Sequence, residues 1–303
     1  MYQNNGGRLF NLTYAKISSM AVDPIEKKPL YHFYPGTSVL SLGSWGCNFH
    51  CEGCQNWEIA CPADDEGFGR ARQMLPAQAV EMAMSSGCAG IAWTYNEPSI
   101  WLEYTFESAK LAKEKGLYTV YVTNGYASFE QIDTIGPYLD AWRVDVKGFR
   151  DDTYRKIARI QHFEGILAVA ERAKEKWGMH VEVVTNVTPG LNDDDAQLSG
   201  IADWISRKLG KETPWHITRF HPHYRMRDYP ATPIETLEHA YQLGKAAGLR
   251  FVYLGNIPGD AHANTTCYSC GQQIVERSGF NAKIKALDGT KCGHCGADLN
   301  FRV

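Results

Sequence analysis

Residues 47–54, CNFHCEGC, place Cys47, Cys51 and Cys54 in one short loop with the spacing C-x3-C-x2-C. The next cysteine, Cys61, does not continue the pattern. Three thiolates are one fewer than a closed tetrahedral zinc site or a fully ligated four-iron cluster requires. A [4Fe–4S] cluster held by three cysteines keeps one iron open, and an open iron can bind a small chelating molecule. Two plainer readings compete: buried structural cysteines, or a zinc ion completed by a distant histidine. The compact loop directly after a strand-like run favours the cluster.

Beyond the loop, short apolar runs alternate with longer amphipathic ones. The pattern predicts strands over 38–42, 90–94, 118–122, 141–146, 180–187, 216–220 and 250–254. Helices are predicted over 76–85, 100–115, 129–135, 164–177, 194–209 and 234–247, with apolar spacing of period 3.6 as in Trp101, Tyr104, Phe106, Ala109 and Ala112. Strands alternating with helices imply an α/β fold of parallel β–α units, a partial or full (βα) barrel. Functional residues of such a barrel sit at strand C-terminal ends, and the triad follows the first strand as that rule requires. Residues 1–36 read as an irregular N-terminal extension, with a turn at Val22-Asp23-Pro24 and a surface patch at Lys27-Lys28. The barrel is assigned to 37–258 and a small C-terminal appendage to 259–303, the Gly- and Pro-rich GNIPGDAHA stretch (255–263) marking the boundary.

At 303 residues the chain is long enough for one such barrel plus an appendage. A net charge of -3 gives no nucleic-acid footprint. No membrane span or signal pattern is evident, so a soluble, cytoplasmic protein is expected. Of the 9 cysteines, seven fall into two metal-type clusters, which suits a reducing compartment. Cys61 and Cys88 read as single core thiols.

The remaining strand ends are polar. After the second strand come Thr94, Tyr95, Asn96 and Glu97, where a carboxylate and an amide can accept from a ligand ammonium. A helix N-cap before Pro98 is the plain alternative, with Ser99 the better capping candidate. Thr123-Asn124-Gly125 offers polar groups and a permissive glycine, and a simple turn accounts for it equally. Asp145 and Lys147 share one strand face, as a salt bridge or as ligand contacts. His221 and His223 lie in one strand-end loop, where histidine can bind a hydroxyl, move a proton or ligate a metal.

Cys267-x2-Cys270 and Cys292-x2-Cys295, separated by 21 residues, read as a zinc ribbon or a rubredoxin-like site. Four thiolates close the tetrahedron, and Zn and Fe share that geometry. A structural zinc would hold together an appendage of ~45 residues that is too small to stand on a core alone. An electron relay or a docking module is the functional alternative.

Taken in order, these segments resemble the radical S-adenosylmethionine (SAM) superfamily in its pyruvate formate-lyase activating-enzyme branch, and within it the AmmeMemoRadiSam group. YAKISSMAVDPIEKKPLYHFYPG (14–36), the triad with CQNWEIA (54–60), TYNEP (94–98) and GNIPG (255–259) carry the likeness across nearly the whole chain. The resemblance implies that Cys47, Cys51 and Cys54 hold a [4Fe–4S] cluster whose open iron is chelated by SAM. An electron from the cluster then cleaves the sulfonium to a 5′-deoxyadenosyl radical, which abstracts hydrogen from a substrate that the sequence does not identify. By family pattern, Glu97 contacts the SAM amino group, while Thr123, Asp145, Lys147 and His223 line its carboxylate and ribose.

Two positions depart from that pattern. The aromatic residue that usually precedes the third cysteine and lies against the adenine is Gly53, so Phe49 or Trp57 is the nearest replacement. An aspartate that helps hold a cation beside SAM is Val122, which removes support for a cation at Asp145. Implied partners are an electron donor such as flavodoxin or ferredoxin and AmmeMemo system proteins. Two other functions compete: an activase taking hydrogen from a partner enzyme's glycine, and a non-catalytic metal-bound interaction module. Trp45, Trp57, Trp93, Tyr95 and Trp101 near the expected mouth favour a small or flat substrate over a protein loop. The ribbon is expected to fold by itself, so that loss of residues after Ala263 leaves SAM reduction intact.

Overall fold

The computed structural model describes residues 1–62, 71–259 and 261–303. Its centre is an eight-stranded sheet made of β1 (Ser19–Pro24), β2 (Ser38–Gly43), β3 (Gly90–Trp93), β4 (Tyr118–Thr123), β5 (Ala141–Asp145), β6 (His180–Val187), β7 (Trp215–Arg219) and β8 (Val252–Gly255). The strands lie side by side in chain order, and all neighbours from β2 to β8 pair in parallel. Among the described residues β1 and β8 do not pair with each other, so the barrel is partial. Helices α1 (Pro76–Ser85), α2 (Leu102–Glu114), α3 (Phe129–Ile135), α4 (Asp151–Ala158), α5 (Glu164–Glu175), α6 (Asp195–Trp204) and α7 (Ile234–Ala246) fill the connections. Their apolar stripes bury Trp93, Trp142 and Trp215 against one sheet face. With both faces covered, the central strands are buried almost throughout.

The predicted elements appear within a few residues of their expected limits; besides short pieces such as the hairpin of Tyr2–Asn5 with Arg8–Asn11, two additions matter for the site. Residues 19–24 form β1, antiparallel to β2, with Asp23 opposite Val39 and Pro24 opposite Ser38. The chain therefore reaches the N-terminal ends of the parallel strands at Pro24 and turns beneath them. Ile25, Leu30 and Phe33 then pack with Val39, Ala92, Val120, Val122 and Ala141, filling the lower part of the concave side. The Lys27-Lys28 surface patch is thereby corrected at Lys28, while Lys27 stays exposed. Lys28 is buried, with its ammonium 2.7 Å from Asp23, and Lys27 is 2.8 Å from the same carboxylate. Neither apolar spacing nor charge along 19–36 signals this burial, because the segment packs on strands far away in sequence. The second addition, α4, has Asp151 and Asp152 in its first turn, where they favour the helix dipole.

The floor is fastened by Glu182 of β6, which is fully buried. Its oxygens accept from the Tyr31 amide (3.0 Å), the His32 amide (2.8 Å), His180 Nε2 (2.9 Å) and His216 Nε2 (2.6 Å). Burial opposes the charge, but the bonds and charges of the two imidazoles outweigh it and hold the carboxyl well below its ordinary range.

The C-terminal residues pack directly on this floor. A hairpin of β9 (Gln273–Ser278) and β10 (Asn281–Ile284) contributes Ile274 and Val275 to a core shared with Tyr31, Phe251, Tyr253, Leu299 and Phe301. Arg277 donates to the Tyr31 carbonyl at 2.7 Å and to Thr265 Oγ1 at 2.7 Å, with its guanidinium 4.0 Å from the Tyr31 ring. His32 bridges the Leu299 carbonyl at 2.8 Å and the Tyr253 hydroxyl at 2.6 Å. These contacts join the extension, β8 and the four-cysteine segment through one shared core. Asp260, within the expected boundary, lies outside the described residues.

Arg277→Ala removes a buried charged donor from three bonds, the third to the Ala263 carbonyl at 3.1 Å, and from a cation–π contact, and should cost about 3 kcal/mol. Chemical denaturation of the variant under anaerobic conditions measures this. Deleting residues 264–303 strips Phe251, Tyr253 and Tyr31 of their cover and should leave an insoluble or unfolded barrel, read by circular dichroism. A folded, stable truncated barrel would contradict the shared core.

Candidate active site

The cysteine loop begins just past the end of β2 and is held from three sides. The amides of His50 and Glu52 donate to the carbonyls of Ala158 (3.2 Å) and Ile157 (3.0 Å), so the loop rests on the last turn of α4. These are carbonyls that a helix C-terminus leaves without intrahelical partners. Asn96 clamps the loop's other side, its amide donating to the Gly46 carbonyl at 2.6 Å and Ser44 Oγ at 2.9 Å. Asn56 donates to the Tyr95 carbonyl at 2.7 Å, and Tyr95 is turned into the left-handed region, φ 74°. That is an uncommon conformation for an aromatic residue.

Cys47, Cys51 and Cys54 open together onto a cavity of about 420 Å³, the size of a small-molecule site. Burial is the main cause raising all three thiol pKa values, that of Cys51 to about 11. Such thiols remain protonated at neutral pH without a compensating cation, and a bound metal supplies one. Cys47 Sγ also accepts from the Phe49 amide at 3.4 Å and from the Asn124 side chain at 3.8 Å. Donors to cluster sulfurs of this kind tune reduction potential. The three-sulfur loop thus fits a cluster with one open iron.

Thr123, Asp145 and Lys147 line the same cavity, at the C-terminal ends of β4 and β5. Asp145 is paired with Arg143 and lies 3.3 Å from Lys147 Nζ. Burial opposes ionisation of both Asp145 and Lys147, but the charge of Arg143 and then that of Lys147 prevail at Asp145 and lower its pKa, and the charge of Asp145 raises that of Lys147. Glu97 stands behind the wall rather than in it. Its Oε1 accepts from Ser99 N (2.9 Å) and Thr123 Oγ1 (2.7 Å), and its Oε2 from Asn124 N (2.7 Å). Glu97 is therefore the cap of the turn at Pro98–Trp101, the role expected of Ser99, and it also ties β3 to β4. Burial pushes its carboxyl pKa up, against those donors. His223 is half-buried and outside the cavity lining, to which its loop contributes Phe220 and Met226.

Those two side chains answer the question raised by Gly53. A Cβ at Gly53 would lie 3.1 Å from Met226 Sδ and 3.1 Å from Phe220 Cε2, so they occupy the space beside it. Phe49 also lines the cavity, whereas Trp57 stacks on Tyr224 at 4.8 Å. Of the aromatics expected at the mouth, Tyr95 lines the cavity, while Trp93 and Trp101 are buried in the outer core. Sequence reasoning missed Lys27, Lys28, Arg143 and Asn186 as lining residues. Arg143 was legible in principle, since it is two positions before Asp145 on the same strand face.

The four C-terminal cysteines form a separate centre. Cys267 and Cys295 have their sulfurs 3.6 Å apart, Cys270 and Cys292 3.7 Å, and all four lie within 4.8 Å of one another. A tetrahedron with metal–sulfur bonds of about 2.3 Å needs sulfurs about 3.8 Å apart, so the cage fits a tetrahedral metal ion.

A curved parallel sheet carrying three thiols at the C-terminal rim of one strand, above a polar cavity, defines a cofactor-dependent enzyme of the partial β/α-barrel class. Residues 44–204 match the Radical SAM superfamily, and the chain belongs to it, near the activating-enzyme branch. The uncharacterized protein MJ0808 of Methanocaldococcus jannaschii is 42% identical over 302 residues, 99% of this chain and 88% of the relative. The pyruvate formate-lyase-activating enzyme of Clostridium pasteurianum is 24% identical over 204 residues, 64% of this chain and 82% of its own. A radical SAM methyltransferase from Sphaerobacter thermophilus shares the fold, with TM-score 0.55 at 17% identity over 74% of this chain and 67% of that one. Membership implies a [4Fe–4S] cluster and SAM. Among the described residues no helix is long and apolar enough to cross a membrane.

Glu97→Gln keeps the shape but turns an amide donor toward one of three donors, and should destabilise the protein by about 1–3 kcal/mol. Thermal unfolding of the cluster-loaded variant reads the loss. An unchanged midpoint would mean that the carboxylate is not the bracket between β3 and β4.

Proposed function

We propose that this protein reductively cleaves SAM at a [4Fe–4S] cluster held by Cys47, Cys51 and Cys54 and abstracts hydrogen from a small substrate in the adjoining cavity. The single observation carrying this reading is that the three sulfurs share one cavity with Thr123, Asp145 and Lys147. The cluster and SAM together supply the electron and the 5′-deoxyadenosyl radical. The chain's own residues bind and orient: Asp145 and Lys147 offer a fixed acceptor and donor toward SAM, and Glu97 positions Thr123 and Asn124. Phe220 and Met226 cover the adenine in place of the aromatic absent at Gly53.

The floor built by residues 25–33 supports the small-substrate reading, since it closes the strand N-terminal end. An activase role on a partner's glycine is the second reading, favoured by likeness to the Clostridium pasteurianum activating enzyme. A soluble, cytoplasmic setting suits nine free cysteines. A flavodoxin or ferredoxin would supply the electron there, in a system that includes AmmeMemo proteins. The four-cysteine centre is assigned to structural zinc.

Anaerobic incubation of reconstituted protein with SAM and dithionite should yield 5′-deoxyadenosine, and none would be formed by a non-catalytic metal-bound interaction module. Cys51→Ala should lose cluster iron, sulfide and visible absorbance while keeping its secondary structure. Phe220→Ala should weaken SAM binding at least threefold at unchanged cluster content, and unaltered affinity would remove Phe220 from the adenine site. Metal analysis of cell-purified protein should find one zinc per chain, bound even in Cys51→Ala. Iron at these four cysteines would overturn the zinc assignment.

A further inference from the structure

The cavity has a second chemical pole, opposite the sulfurs. Lys27 and Lys28 rise from the floor segment, and Arg143 lies on β5 two residues below Asp145, about 6–7 Å deeper along the strand. All three line the cavity, and Arg143 Nε donates to the Lys28 carbonyl at 3.1 Å, joining floor to wall. With Lys147, the lining and its ion pairs hold four cations against two carboxylates, Asp23 and Asp145. Glu182 lies beneath with four donors engaged, and burial raises the carboxyl pKa of its neighbour Glu26.

The donors outnumber their acceptors. Among the described residues, Lys28 Nζ hydrogen-bonds to Asp23 alone, although an ammonium carries three donors. Arg143 spends Nε on a carbonyl and Nη1 on Asp145, and no bond of a described residue takes Nη2. Burial depresses the Lys28 pKa and outweighs the bond and charge of Asp23, which raise it, while the charges of Lys27 and Arg143 add smaller like-charge repulsion at Lys28. Burying like charges with open donors is costly unless an acceptor joins them.

We propose that Lys27, Lys28 and Arg143 form the binding site for an anionic group of the substrate, a carboxylate or a phosphoryl group, at the floor of the cavity. The bound molecule would then span from the cationic floor toward the cluster, presenting its remainder to the radical. The site stands on the lining, the hydrogen bonds and the excess of cations, and rests on the radical SAM reading only in calling that molecule the substrate.

Full-length, cluster-loaded protein, with and without SAM and in the absence of reductant, is titrated calorimetrically with inorganic phosphate, acetate and neutral acetamide. Phosphate or acetate should bind at least tenfold more tightly than acetamide, and the tighter of the two identifies the group as phosphoryl or carboxylate. Lys28→Met should weaken that binding at least tenfold. Lys27→Met, at a half-exposed position that tolerates change, should weaken it at least threefold. Anions binding no better than acetamide, or unchanged binding in folded Lys27→Met, would overturn the site. Reductive SAM cleavage is measured on the same wild-type preparation. Cleavage without anion binding overturns this proposal and leaves the radical chemistry standing, whereas anion binding without cleavage supports the site and removes the radical reading.

Discussion

A parallel sheet that curls without closing has a concave side open at one end, and this protein depends on how that opening is filled. The chain does it with its own N-terminal segment, which runs antiparallel along β2, turns at Pro24 and packs Ile25, Leu30 and Phe33 between the strands. A backbone that enters a barrel brings amides needing acceptors. Glu182 supplies them for Tyr31 and His32. A buried carboxylate is tolerable only when its oxygens are fully bonded, and the two imidazoles complete that set.

The same constraint explains the place of the four-cysteine segment. His32 and Tyr253 carry the hydrogen-bonded network from the floor to Leu299 and Thr265, two residues from Cys267. The segment is small, and its hairpin leaves Ile284 and Phe280 exposed while Ile274 and Val275 are spent on the barrel side. It borrows its core from Tyr31, Phe251 and Tyr253. A metal held by the four thiolates therefore supports the floor of a cavity whose chemistry lies at the other end.

That cavity is polarised along its length. Three thiols raised in pKa by burial sit at the rim, and cations sit below. Asp145 bridges the halves, paired upward with Lys147 and downward with Arg143. A ligand in this field is oriented by charge before any reaction, the arrangement that electrostatic preorganisation requires.

The amino-acid sequence by itself determined the β/α order, the rim position of Cys47, Cys51 and Cys54, and the four-cysteine cage, because each is written in local spacing. Period and turn residues act over a few positions, and thiol pairs at x2 or x3 spacing reach one ion or cluster wherever their loop lies. That Thr123, Asp145 and Lys147 lie at the same rim as the triad was legible because strand ends converge there. What only the tertiary structure decided involves partners distant along the chain. Lys28 reads as a surface residue until Asp23 and the barrel enclose it. Glu97 reads as a strand-end carboxylate with open oxygens until Thr123 and Asn124 donate to them. Phe220 and Met226 take the space at Gly53 from more than 160 positions away. In each case the deciding energy is the burial and bonding of a group whose partner no local pattern names.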